Sequence, residues 1–132
     1  MRPWTKLVAG ATILAAGVAV AAPAMTVKDI MNRLNKGPGA LTTVLKKELQ
    51  NGTPAWPDIQ KQTKEYVELV SVLGQSEPPK GESTSWTRMT GQYASVAKEL
   101  DAAAEHQDRS AALAAHGKLV KTCNACHKAH RP

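Results

Sequence analysis

Cys123 and Cys126 are the two cysteines of this 132-residue chain, and His127 follows the second directly. On a helix, thiols three residues apart lie on neighbouring faces, so both can reach one flat ligand beside that helix. The C-x-x-C-H pattern is that of covalent haem attachment, in which each thiol forms a thioether with one vinyl group and the adjacent imidazole becomes an axial ligand of the iron. The end of this chain is therefore expected to be a helix that carries haem c through Cys123 and Cys126 and ligates its iron through His127.

Two other chemistries use the same residue types. A Cys123–Cys126 disulfide or thiol redox pair would stand at a helix start after a strand, and no strand alternation is present. A zinc site built from Cys123, Cys126, His127 and His130 would crowd its ligands into one short segment instead of two separated pairs. No general acid, base or nucleophile constellation is visible, because the carboxylates are scattered over helix faces. The chain does not read as an enzyme.

The beginning of the chain reads as an export signal. Arg2 and Lys6 precede a mostly apolar run from Leu7 to Ala22 that ends in small residues, the layout of a secretory signal peptide. Residues 1–24 are expected to be removed, with cleavage after Ala21 or Ala24. The run of about 16 residues is shorter than the roughly 20 that span a bilayer, and no later segment is apolar enough, so stable membrane insertion after cleavage is not expected. Localisation in the bacterial periplasm follows as the expectation.

Loss of Arg2 and Lys6 takes the formal charge from +6 to +4. Lysines and acids alternate without a basic block, which gives no support to nucleic-acid binding. A mildly basic surface is instead suited to steering toward an acidic redox partner. The remaining residues make one domain, 25–132, whose core must come from Leu, Val, Ile, Ala and Met, since the whole chain has no Phe and only two Tyr. A core that small would benefit from an internal cofactor.

The apolar spacing is helical throughout. Thr26 and Asp29 form a carboxylate capping box ahead of Val27, Ile30, Met31 and Leu34. Gly37-Pro38-Gly39 should break this first helix before Leu41, Val44, Leu45 and Leu49 resume its period. A second helix carries Ile59, Tyr66, Val67, Leu69, Val70 and Leu73 to an end at Gly74, and Gln75 to Glu82 reads as a loop. Ser83 or Ser85 is expected to cap a third helix, with Trp86, Met89, Tyr93, Val96, Ala97 and Leu100 on one face. Asp108 should cap a fourth that runs into the cysteine motif. The fold class expected is all-α, an antiparallel four-helix bundle with haem near the C-terminus.

With Cys123-Asn124-Ala125-Cys126-His127-Lys128-Ala129-His130-Arg131 closing a chain of this layout, the sequence resembles the class II cytochromes c, which include cytochrome c prime and its low-spin, methionine-ligated relatives. The resemblance covers the domain after the signal peptide and implies haem c held within the bundle, with His127 as proximal ligand. It implies a proximal-face or propionate contact for Arg131, and it allows a homodimer through the first two helices. Low-spin members use a methionine near the start of the first helix as distal ligand, and Met31 is the matching residue. Met25 and Met89 are the other methionines after the signal, Met89 being expected to serve as packing. His106, His116 and His130 are expected at the surface or along helix sides.

The sixth ligand separates two functions. A Met31 thioether fills the iron's last position and raises its potential, giving a six-coordinate electron carrier. An apolar distal pocket leaves the iron five-coordinate and open to nitric oxide or carbon monoxide. The reading adopted is the electron carrier, with gas binding as the alternative.

Overall fold

A computed structural model describes residues 25–132, so the expected signal peptide and its cleavage sites lie outside the described residues. Among these residues every regular element is a helix: α1 (Val27–Asn35), α2 (Leu41–Gln50), α3 (Trp56–Gln75), α4 (Ser83–Glu105) and α5 (Arg109–His130). No described helix is long and apolar enough to cross a membrane.

Local chemistry explains most of the boundaries. The Thr26 hydroxyl accepts the Asp29 amide at 3.1 Å, and the Asp29 carboxylate accepts the Thr26 amide at 3.2 Å, closing the reciprocal box that starts α1. These bonds hold the Asp29 carboxyl below its usual range. The helix stops at Lys36 because Gly37 adopts φ +83°, a left-handed conformation that costs glycine nothing. The first helix is thus in two pieces, as the Gly37-Pro38-Gly39 break requires. The Arg33 guanidinium spans the break: it pairs with both oxygens of Glu65 on α3, at 2.6 and 2.9 Å, and donates to the Gly39 carbonyl.

The start of α4 differs from expectation. Neither Ser83 nor Ser85 caps it, for the N-cap is Glu82 and makes no side-chain cap bond. Ser85 lies within the first turn, and its hydroxyl is engaged with the His130 imidazole at 3.1 Å. The second helix also runs one residue past Gly74, to Gln75.

Between α4 and α5 the chain reverses in three residues. The Gln107 amide donates to the Ala104 carbonyl and the Asp108 amide to that of Ala103, the paired bonds of a Schellman ending. Asp108 then caps α5 by accepting the Ala111 amide at 3.0 Å. The residue in the left-handed position is Gln107, at φ +53°, where glycine would be unstrained.

Packing follows the same order as the chain. The long helix α4 lies against both α3 and α5, while α1 and α2 close on α3 and on each other. Ile30, Leu34, Leu41, Leu45, Leu49, Ile59, Val70, Leu73, Leu100 and Leu119 make the continuous core, so aliphatic side chains supply what Phe does not. α2 also packs on α5, whereas α1 does not. Two polar clamps fasten that α2–α5 contact: Arg109 donates to the Leu49 and Gln50 carbonyls, and His116 Nε2 bonds the Thr42 carbonyl at 2.7 Å.

Replacing Gln107 with glycine relieves the left-handed strain without removing a side-chain contact, so Gln107→Gly should stabilise the fold by about 1 kcal/mol. Urea unfolding checks this as a raised midpoint with an unchanged slope.

Candidate functional site

Because α2 holds the first half of α5 while α1 stands clear of the helix, a cleft opens beside the C-terminal half of α5. Its larger part is a cavity of about 810 Å³, lined on the α1 side by Val27, Met31 and Asn35 and on the α5 side by Cys126, His127 and His130. Residues 27, 31 and 35 are one row at i, i+4 spacing, and Ile30 and Leu34 on the adjoining row are fully buried in the core. One helix thus serves core and cleft with different rows of side chains.

A second cavity of about 150 Å³ adjoins, bounded by Cys123, Met89 and Tyr93. Met31, Asn35, Cys126 and His127 line both, which makes the two cavities parts of one cleft. The two cysteines therefore face into it together, as their spacing on α5 demands. Both thiols are half-buried, and burial pushes each above its ordinary pKa, so they stay protonated at neutral pH. The His127 side chain is exposed toward the cleft mouth.

The charged side chains that line the cleft have one sign. Lys28, Lys36 and Arg131 line the larger cavity and Arg88 the smaller, and no Asp or Glu lines either. Arg131 stands at the end of α5, where its amide donates to the His127 carbonyl at 3.0 Å. The apolar walls come from Val27, Pro79 and Trp86 in the larger part and Leu73 in the smaller.

These residues fit a haem. A flat, mostly apolar macrocycle needs a cavity in the few-hundred to 1,000 Å³ range, and its two carboxylates need cations at the edge. Both are present beside two thiols and an imidazole. Haem iron takes four ligands from its own porphyrin and needs only one or two from the protein. Zinc needs three or four, and among the described residues no three His, Cys, Asp or Glu side chains converge.

His116 and His130 were expected at the surface or along helix sides; both lie on α5, and its side there is buried, leaving them 5% and 3% exposed. His116 serves the α2–α5 clamp. The His130 Nδ1 bonds the Lys80 carbonyl at 2.7 Å and Nε2 faces the Ser85 hydroxyl, while the ring packs edge-on against Trp86 with centroids 5.2 Å apart. With both nitrogens engaged, His130 fastens the Ser76–Glu82 loop to α5 and does not present a free ligand atom. His106 is exposed, as expected.

Sequence reasoning named Met31, Cys123, Cys126, His127 and Arg131, and the fold gathers all five along the cleft. Met25 lies outside it. The aromatic neighbours are Trp86 in the larger part and Tyr93 in the smaller; Tyr66 lies behind Tyr93. Asn35 was not singled out, although its position four residues beyond Met31 puts it on the same face. Met89 lines the smaller cavity and is half-buried there.

Compared with known proteins, the chain matches no described family, no curated protein and no solved structure.

The loop beside the cleft depends on Gly81, which holds φ +84° and where an added Cβ would meet the Ala129 carbonyl oxygen at 2.6 Å. Gly81→Ala should destabilise by about 2–4 kcal/mol, since backbone strain and the clash with a backbone atom add. Gly91→Ala on the open side of α4, with nothing within 4 Å, should instead stabilise by up to about 1 kcal/mol. Denaturant unfolding of the two variants in parallel reads both signs.

Proposed function

We propose that this chain is an exported one-electron carrier of the class II cytochrome c kind, with haem c held by Cys123 and Cys126 and its iron ligated by His127 and Met31. The observation that carries the reading is the meeting of Met31 with Cys126 and His127 along one cleft, between two helices that do not pack on each other. We read the five helices as an antiparallel four-helix bundle whose first member is the broken pair α1 and α2.

When bound, haem c supplies a reversible one-electron ferric–ferrous couple. The two cysteines would hold it: each S–H would add across one vinyl group, sulfur to one carbon and the proton to the other, and both anchors lie within one turn of α5. His127 follows the second anchor directly, so the same turn would bring its imidazole to the iron. Met31 would offer a soft thioether from α1, which would favour the ferrous state and keep reorganisation small.

The cations would divide their work. Lys28, Lys36 and Arg131 in the larger cavity would neutralise the propionate carboxylates, and Arg131 is the one closest in sequence to the iron ligand. Trp86, Val27 and Pro79 would exclude water from the apolar part of the ring. The mildly basic surface of the domain would attract an acidic redox partner, an attraction that weakens as salt shortens its range to about 8–10 Å.

The test is the visible spectrum of protein exported from a host that matures c-type cytochromes, oxidised and reduced, with and without carbon monoxide. Sharp reduced bands that ignore carbon monoxide are expected. Met31→Ala should turn them high-spin and open a carbon monoxide site, while Met89→Ala should leave them unchanged. Broad bands that shift with carbon monoxide in the unmodified protein would instead make it a five-coordinate gas binder. A colourless protein from a competent host overturns the haem assignment.

A further inference from the structure

Asn35 occupies the end of α1 with its amide held on both sides. Its Nδ2 faces the Met31 sulfur at 3.7 Å, and its Oδ1 accepts the Thr42 hydroxyl at 2.9 Å. The Thr42 hydroxyl lies 3.1 Å from the Tyr66 phenol, and that phenol is hydrogen-bonded to the phenol of Tyr93.

The proton count gives this chain one direction. Thr42 has a single hydroxyl proton, and it goes to Asn35, so Tyr66 must donate to Thr42. Tyr66 has then spent its own proton, and Tyr93 must donate to Tyr66. The Tyr93 oxygen is left as the outer end of the chain. The bonds thus run in one sense from Tyr93 through Tyr66 and Thr42 to the Asn35 carbonyl, and the Asn35 amide nitrogen is left for the Met31 sulfur.

Both phenols are buried, and burial holds their pKa values above the ordinary tyrosine range, so neither releases its proton at physiological pH. The protons of the chain therefore stay in place. Bonds that run in one sense strengthen one another in a low-dielectric interior. The Met31 sulfur can only accept, so a flipped Asn35 would set its carbonyl oxygen against the sulfur lone pairs and lose that contact. The amide N–H is thereby held toward Met31.

From this geometry we infer that Asn35 is a positioning residue for the Met31 thioether, holding one sulfur lone pair so that the other is presented to iron. The inference rests on the Met31 ligation proposed above. A thioether has two lone pairs, and a hydrogen bond to one lowers the donor strength of the other. Ferric iron depends on that donation more than ferrous iron does, so the bond shifts the couple toward the reduced state. Hydrogen bonds to ligating atoms are a general lever on redox potential.

The experiment uses matured holoprotein and three variants, Asn35→Leu, Thr42→Val and Met31→Ala. Asn35→Leu should lower the ferrous preference about tenfold, a fall of about 59 mV for one electron, and shift the thioether-to-iron charge-transfer absorption of the ferric protein. Thr42→Val touches neither sulfur nor iron, yet releases the amide and should move both readouts in the same direction by less. It also carries the test should Asn35→Leu fail to mature. A Met31-dependent spectrum with potential and charge-transfer band unchanged in Asn35→Leu and Thr42→Val overturns the positioning role alone. A spectrum indifferent to Met31→Ala overturns the ligation reading and this role with it.

Discussion

The cleft depends on α5 being tied to the first two helices at one end only. His116 and Arg109 fasten its first half to α2, Arg109 through the Leu49 and Gln50 carbonyls that the end of that helix leaves unpaired and His116 through the Thr42 carbonyl. Nothing equivalent joins its second half to α1. The cleft is the space left by that asymmetry, and it lies beside the only turn of the chain that carries two thiols and an imidazole. Had the first helix continued without interruption, its second half could not have closed on α5 while its first half stood away.

The break at Gly37-Pro38-Gly39 is therefore a working part of the site. It frees α1 to present Val27, Met31 and Asn35 to the cleft, while α2 takes over the clamping. The break would leave α1, at nine residues, too short to be stable alone. It is secured by the Thr26–Asp29 box at one end, by Ile30 and Leu34 in the core, and by the Arg33–Glu65 pair near the other. The pair is about two-fifths exposed on both sides, so it contributes orientation more than stability.

What could be read in the sequence was what local chemistry determines. Thr26 and Asp108 advertise helix starts because the amides whose hydrogen bonds they accept lie three residues on. The glycine–proline run advertises a break, and the spacing of Cys123, Cys126 and His127 advertises a ligand beside a helix. Met31 was legible as a core-facing residue, and the cleft adjoins that core. His116 and His130 were not legible, because their partners are the Thr42 and Lys80 carbonyls, 74 and 50 residues away. A lone histidine among alanines and lysines carries no local mark of a distant acceptor. The same reason hid Ser85, which resembles a cap in sequence but is engaged by His130 across the α3–α4 loop. Asn35 was hidden differently: a polar residue before a glycine reads as a helix end, and its use as a donor depends on Thr42, Tyr66 and Tyr93 from three other helices.

Two thioether sulfurs reach the cleft, and their surroundings differ. Met89 lines only the smaller cavity, and its sulfur has the Ser85 hydroxyl at 4.0 Å, a weak contact from a group already shared with His130. Met31 lines both cavities and faces an amide that a chain of hydrogen bonds holds from behind. A flexible thioether normally loses much of its freedom when it is fixed at one point, which weakens it as a ligand. Where the neighbouring amide already restricts that freedom, less remains to be lost on ligation. Under the proposed ligation, the polar chain behind α1 would thus favour Met31 over Met89 by preorganisation, independently of either side chain's intrinsic affinity for iron.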